Sequence, residues 1–149
     1  MVTKRVRLGW LPLVIVCALG ATCLPSCGGV KRLPVSGTVT LDGQPLDGGI
    51  LTFCPDVDKG NTAQISCTGP VRDGRYELKT AGITERDSGE GAPPGWYKVI
   101  LKTPNLRSKK NPQAPVNVNE KYKDLKKTPL SVEVKDPPEP GAYDFKMTK

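Results

Sequence analysis

The stretch PVSGTVTLDGQPLDGGILTFCP, residues 34–55, decides the fold of this chain. Between 35 and 41, valine, glycine and leucine alternate with serine and threonine, which is the period-two pattern of a strand with one buried face. Asp42-Gly43 is a dipeptide typical of tight β-hairpin turns. Pro45 and Gly48-Gly49 then lead into a second strand, which is predicted over 50–54. The stretch therefore predicts short strands separated by turns.

The same alternation of strands and turns continues to the end of the chain. RDGRYELKT, residues 72–80, places Asp73-Gly74 at the tip of a hairpin and a strand after it. Four further strands are predicted in the segments 63–71, 95–101, 129–136 and 141–147. The 16 glycines and 15 prolines favour turns and short strands over long helices. Seven strands without an amphipathic helix predict an all-β fold, a seven-stranded antiparallel β-sandwich of immunoglobulin-like or transthyretin-like type over 35–149.

Each predicted strand has one apolar face, and these faces are expected to meet in one core. Fully burying a large apolar side chain contributes roughly 1.5–3 kcal/mol, so about a dozen of them suffice for a single domain. The predicted inward residues are Val39, Leu41, Leu51, Phe53, Tyr76, Leu78, Tyr97, Val99, Leu101, Val132, Val134 and Phe145.

Three sequence blocks occur in a recognisable order: GTVTLDGQPLDGG at 37–49, DGRYEL at 73–78 and PGWYKV at 94–99. Together they resemble the carboxypeptidase-regulatory-like domain family, whose members are transthyretin-like sandwiches. EKYKDLKKTPLSVEV, residues 120–134, resembles the tail of small bacterial lipoproteins that carry this domain alone. The resemblance implies a module without catalytic activity. One transthyretin-like branch hydrolyses 5-hydroxyisourate with histidines, which this chain lacks.

The first 26 residues have the layout of a secretory signal. MVTKRVR, residues 1–7, is basic, and an uncharged, largely apolar run follows over 8–26. Pro12, Gly20 and Pro25 interrupt this run, which argues against a permanent membrane-spanning helix.

LPSC, residues 24–27, resembles the bacterial lipobox. In that motif the cysteine thiol is joined to diacylglycerol and the chain is cut before the cysteine, which implies lipidation at Cys27. The expected organisation is a lipoprotein signal peptide over 1–26, a tether over 27–34 and the sandwich over 35–149. Gly28 after the cysteine resembles the pattern that permits export to the outer membrane. The alternatives are a plain signal peptide with incidental cysteines and, less well matched, lipidation at Cys23.

Composition restricts the chemistry of the chain. It contains no histidine, which excludes Ser-His-Asp and Cys-His catalysis and any zinc site that uses histidine. The net charge is +7, but residues 1–26 carry three of the 22 basic residues and no acidic one, which leaves 19 against 15 and a net charge of +4. We therefore expect no enzyme, no cofactor and no metal. Nucleic acid is not an expected partner, because no aromatic residues interleave the basic ones.

Cys54 and Cys67 follow the signal segment, in a compartment that permits disulfides. A two-residue turn at Gly60-Asn61 would place them opposite each other, close enough for a bond. Pro55 and the inward-facing parity of the neighbouring strands oppose that pairing. A disulfide and two separate thiols both remain open.

Other candidate contacts are Trp96, whose strand parity points outward, and the basic segment around Lys109 and Lys110. Trp96 could stack on a sugar or pack against a turn. The basic segment could meet anionic envelope polymers or lipid headgroups, or simply keep the surface soluble. Five aspartates fall in turns, where their own backbone hydrogen bonds are a better explanation than Ca²⁺ binding: Asp42, Asp47, Asp56, Asp58 and Asp73.

These features lead to one expected function and one alternative. The expected function is an exported, lipid-anchored β-sandwich that serves as a structural or interaction module at the periplasmic or outer-membrane face of the envelope. Its expected partners are the membrane, through the N-terminal lipid, and an envelope polysaccharide or another envelope protein. The alternative is a carbohydrate-binding module that uses Trp96 and the neighbouring loops.

Overall fold

The computed structural model describes residues 30–82, 84–103 and 117–149. Cys27, Lys109 and Lys110 lie outside these ranges, so the predictions made for them stay predictions. The described residues form ten strands and three short 3₁₀ helices. None of the described helices is long or apolar enough to cross a membrane. The strands are β1 (Ser36–Leu41), β2 (Gln44–Pro45), β3 (Ile50–Pro55), β4 (Cys67–Pro70), β5 (Arg75–Glu77), β6 (Lys79–Thr80), β7 (Gly89–Glu90), β8 (Gly95–Lys102), β9 (Ser131–Val134) and β10 (Phe145–Met147).

The strands build two sheets, which confirms the all-β, two-sheet architecture. In the smaller sheet β1 pairs with β10, β2 and β5, and the larger sheet has the order β7-β6-β4-β3-β8-β9. All seven predicted strands are present, and the number rises to ten because β2, β6 and β7 add two residues each. The expectation of a wholly antiparallel sandwich is wrong at one place, since β10 runs parallel to β1. Two parallel strands need a long connection between them, and here nearly the whole described chain connects β1 to β10.

Both predicted Asp-Gly turns are confirmed by their backbone angles. Asp42 and Gly43 have φ of 50° and 76°, and Asp73 and Gly74 have φ of 50° and 72°. Two successive positive φ values are what a two-residue turn needs to match the twist of its strands. A Cβ at Gly74 would lie 2.7 Å from the Pro45 Cβ, so this turn also requires glycine for its contact with β2.

The segment 75–80 that follows the second turn connects the two sheets. Its first half, β5, pairs with β1 of the smaller sheet, with Gly37 opposite Tyr76. Its second half, β6, pairs with β4 of the larger sheet, with Thr68 opposite Lys79. A hairpin with its tip at Asp73-Gly74 would pair the whole segment with the preceding strand in 63–71. Only β6 pairs in this way, because β5 pairs with β1 instead.

The predicted core is confirmed, since all twelve inward residues are buried. Leu33 is also buried and exchanges backbone hydrogen bonds of 2.9 and 3.0 Å with Ala92. Packing thus starts two residues before the expected boundary at 35. Ten further apolar residues complete the core cluster: Leu33, Val35, Leu46, Cys67, Val71, Ala92, Val118, Tyr122, Tyr143 and Met147.

Four aromatic rings join the two sheets at the centre of this core. Phe53 of the larger sheet lies 6.2 Å from Tyr76, 6.0 Å from Tyr97 and 5.9 Å from Phe145, measured between ring centroids. Tyr76 and Phe145 belong to the smaller sheet and stack at 6.1 Å. The tyrosine hydroxyls reach backbone acceptors, Tyr76 donating to the Tyr143 carbonyl at 2.7 Å and Tyr97 to the Pro93 carbonyl at 2.8 Å. The cluster is thus apolar at its centre and hydrogen-bonded at its rim.

Phe53→Ala should lower the free energy of unfolding by about 3–5 kcal/mol, because it removes three ring contacts and leaves a cavity between the sheets. Phe53→Leu should lower it less, since it keeps most of the volume. Val57→Ala is the control, because Val57 is 68% exposed and should change stability by less than about 0.5 kcal/mol. Urea unfolding measures all three. A Phe53→Ala protein as stable as the wild type would contradict the central role of this ring.

Alkaline pH should destabilise the protein through its buried tyrosines. Burial raises the pKa of Tyr97 from 10.0 to about 12, and burial together with the Asp144 carboxylate raises the pKa of Tyr76 further. Above pH 10 the unfolded chain releases these protons while the folded protein keeps them. The contribution of these two tyrosines to stability should therefore be constant below about pH 9 and fall as pH rises from about 10 towards 12. Urea midpoints across this range measure the slope, and Tyr97→Phe should make it shallower. A flat profile would contradict this linkage.

Candidate functional site

The register of β3 and β4 decides the question of Cys54 and Cys67. Phe53, not Cys54, is the partner of Cys67, and both thiols are free. The pairing that a disulfide requires is thus wrong by one residue. The observed register places the two thiols on opposite faces of the sheet. The register differs from the prediction because the connection between β3 and β4 is not a two-residue turn at Gly60-Asn61. It contains a 3₁₀ helix, Val57–Lys59, which ends at Gly60 with a φ of 81°.

Cys67 is a core residue. It is 0% exposed, and its Sγ lies 3.2 Å from the Thr80 Oγ1, which in turn donates to the Gly91 carbonyl at 2.7 Å. Burial raises the pKa of the Cys67 thiol above its ordinary value, and the hydrogen bond with Thr80 only partly opposes this. The group is therefore held as a neutral thiol without access for a reagent.

A thiol reagent at about pH 8 should modify half-buried Cys54 at least about tenfold faster than Cys67 in the folded protein. The reason is that Cys67 is both covered and protonated. Peptide mass spectrometry reads each cysteine separately. In concentrated urea the two rates should become equal, which is the internal control. Equal labelling of the folded protein would show that the core around Cys67 opens.

Trp96 lies on the outer face of the larger sheet, as its parity predicts, and is half-buried. The Lys59 Nζ lies 3.9 Å from its ring centroid and donates to the Ser131 Oγ at 2.9 Å. The Trp96 carbonyl accepts from the Asp56 N–H at 2.9 Å and from the Asn61 Nδ2 at 2.8 Å. The loop after β3 is therefore folded next to Trp96, and the Lys59 ammonium lies over one face of its ring.

Asp56 and Asp58 share an ion pair with one lysine of the neighbouring strand. The Lys98 Nζ lies 3.0 Å from the Asp58 Oδ2 and 3.5 Å from the Asp56 Oδ1, and the hydrogen bond to Asp58 raises the pKa of Lys98. Asp56 is only 2% exposed, so this cation balances a buried carboxylate. Within the described ranges, no group of three or more cysteine, aspartate or glutamate residues is placed to hold a metal ion.

A groove of about 620 Å³ lies along β5, between the start of β1 and the end of β4. Buried Tyr76 forms part of its floor. Its exposed walls carry three basic residues, one acidic residue and two hydroxyls: Arg72, Arg75, Lys79, Glu77, Ser36 and Thr38. The alternation within RYELK could have predicted that Arg75, Glu77 and Lys79 share a face. It could not have predicted that β1 approaches that face, because the pairing joins residues about forty positions apart along the chain.

Arg72 and Arg75 face each other across the Asp73-Gly74 turn. They form a β-bridge with two backbone hydrogen bonds of 2.9 Å, so their side chains leave the chain on the same side. In the part of the chain that the structure describes, neither guanidinium forms an ion pair. The groove therefore holds two adjacent positive charges that no described acidic group neutralises.

Comparisons of the chain with protein-family models, with curated proteins and with solved structures returned no match. The resemblance to carboxypeptidase-regulatory-like domains consequently rests on the three sequence blocks. In the structure these blocks form β1 with the first turn and β2, the second turn with β5, and most of β8.

Proposed function

We propose that this protein is an exported, lipid-anchored β-sandwich that serves as a non-catalytic structural or interaction module at the cell envelope. The observation that carries the proposal is the LPSC motif, which follows a basic start and an apolar run and ends at Cys27. Diacylglycerol on this thiol and an acyl chain on the new amine would insert into the bilayer, each buried CH₂ contributing about 0.8 kcal/mol. Several chains together give a firm attachment.

The position of Cys27 relative to the packed body supports this proposal. Val30 and Lys31 are exposed, and Leu33 is the first residue of the described chain that packs into the core. Leu33 follows Cys27 by six positions along the chain, a span of at most about 22 Å. A lipid on Cys27 would thus hold the body close to the membrane surface.

Hydrogen bonds fix the end of the tether, at Arg32 and Leu33, to the body of the domain. The Arg32 Nη2 donates to the Ser88 carbonyl at 2.9 Å, and Leu33 is hydrogen-bonded to Ala92. The chain then enters β1, the strand with three partners in the smaller sheet. An anchor at the N-terminus would therefore pull on the central strand of that sheet rather than on a loose end.

Within the proposed setting, the partners are an envelope polysaccharide or another envelope protein, on the periplasmic or outer-membrane face. The basic segment around Lys109 and Lys110 is a proposed contact for anionic polymers. Sugar stacking on Trp96 is not adopted as a second function, because the ring is half-buried and the Lys59 ammonium already occupies one of its faces.

Intact mass spectrometry and cell fractionation in a host with two membranes test the anchor. The mature protein should begin at Cys27, carry a diacylglyceryl group and sediment with membranes. Cys27→Ser should abolish the lipid mass and the cleavage before residue 27. Cys23→Ser is the matched control and should be processed like the wild type. A wild-type protein with an unmodified Cys27, or one that keeps residues 1–26, would overturn the proposal.

A further inference from the structure

We propose that the groove along β5 binds an acidic oligosaccharide, one whose sugar rings carry carboxylate groups. This inference deepens the proposed function and rests on it for its setting, because an envelope module meets polysaccharides. It depends on three features of the groove: a row of charged and hydroxyl side chains, a pair of arginines that form no ion pair with a described residue, and a single carboxylate among the cations.

The register places a row of charged side chains beside a row of hydroxyls. Thr38 is the partner of Arg75, and Ser36 is the partner of Glu77. Alternate residues of a strand lie about 7 Å apart, so the row from Arg75 to Lys79 extends over about 13 Å. A groove of this length and about 620 Å³ suits several linked sugar rings better than a single small anion.

The arginine pair supplies the site for an acid group. Like charges directly opposite each other on a β-ladder are destabilising, and Arg72 and Arg75 occupy such positions. A bound anion between them would relieve the repulsion. The planar guanidinium matches a carboxylate through two parallel hydrogen bonds, which gives directionality as well as charge.

The acidic groups beside the groove limit the charge density of the ligand. Glu77 lies between Arg75 and Lys79 in the row, and Asp144 lies nearby, its Oδ1 accepting from the Thr38 N–H at 2.7 Å and from the Thr38 hydroxyl at 2.8 Å. A densely charged phosphate headgroup would be repelled by Glu77. Sugar hydroxyls, in contrast, can donate to its carboxylate. Separated carboxylates with hydroxyls between them therefore fit the groove best.

The binding test uses hexagalacturonate as the probe and its methyl ester as the matched neutral ligand. The protein is purified in detergent from whichever cell fraction contains it. Calorimetry or fluorescence anisotropy should show affinity for the acid at least about tenfold higher than for the ester, the effect of one lost charge-assisted hydrogen bond. Arg72→Gln/Arg75→Gln should weaken binding of the acid by at least about tenfold.

Lys126→Gln is the control, since it removes an exposed positive charge away from the groove and should leave affinity unchanged within about twofold. The urea midpoint shows that the double variant is folded, and it should equal or exceed the wild-type value because a repulsion is removed. Equal affinity for acid and ester would overturn the inference, as would normal binding by the folded double variant. Binding of phosphatidylglycerol vesicles through Arg72 and Arg75, without binding of hexagalacturonate, would overturn it in favour of a lipid headgroup.

The two proposals fail in different ways. A soluble protein with a bare Cys27 that still binds hexagalacturonate through the arginine pair would overturn the anchor alone. A lipidated, membrane-bound protein that does not bind the probe would overturn the groove assignment alone.

Discussion

The contact of Phe53 with three aromatic rings is the interaction on which the rest of this structure depends. The chain has only two phenylalanines and four tyrosines, and both phenylalanines and two of the tyrosines meet in this one cluster. Aromatic side chains bury more apolar area than any other residue, and tilted or edge-on pairs add about 0.5–1.5 kcal/mol each beyond that area. Because Tyr76 and Phe145 come from the smaller sheet and Tyr97 from the larger one, the cluster determines how the two sheets face each other.

The same segment that contributes to this cluster also builds the groove. In β5, Tyr76 points into the core while Arg75 and Glu77 point outward, as the period of two requires. The segment then continues into β6 and pairs with the larger sheet, so it is held by both sheets. A binding surface on such a segment is preorganised, because its outward side chains are carried by backbone that the core fixes.

The loop after β3 shows where sequence patterns stop being informative about a site. The outward parity of Trp96 was predicted correctly, and yet the Lys59 ammonium lies over one face of its ring. Asp56 was expected to serve a turn through its side chain, but the two N–H groups of its loop are accepted by its backbone carbonyl. Its carboxylate instead balances Lys98 of another strand. Strand parity states which way a side chain leaves the sheet. It does not state what a neighbouring loop places on top of it.

The sequence by itself determined the seven principal strands, both Asp-Gly turns and all twelve predicted core residues, because alternation and turn chemistry act between residues close together in the chain. The resemblance to a known domain family and the proposed lipidation of Cys27 likewise rest on sequence motifs. Only the tertiary structure decided the Phe53–Cys67 register, the parallel return of β10 and the groove beside Arg75. These depend on the conformation of an irregular loop and on pairings between distant strands, and no local pattern encodes either of them.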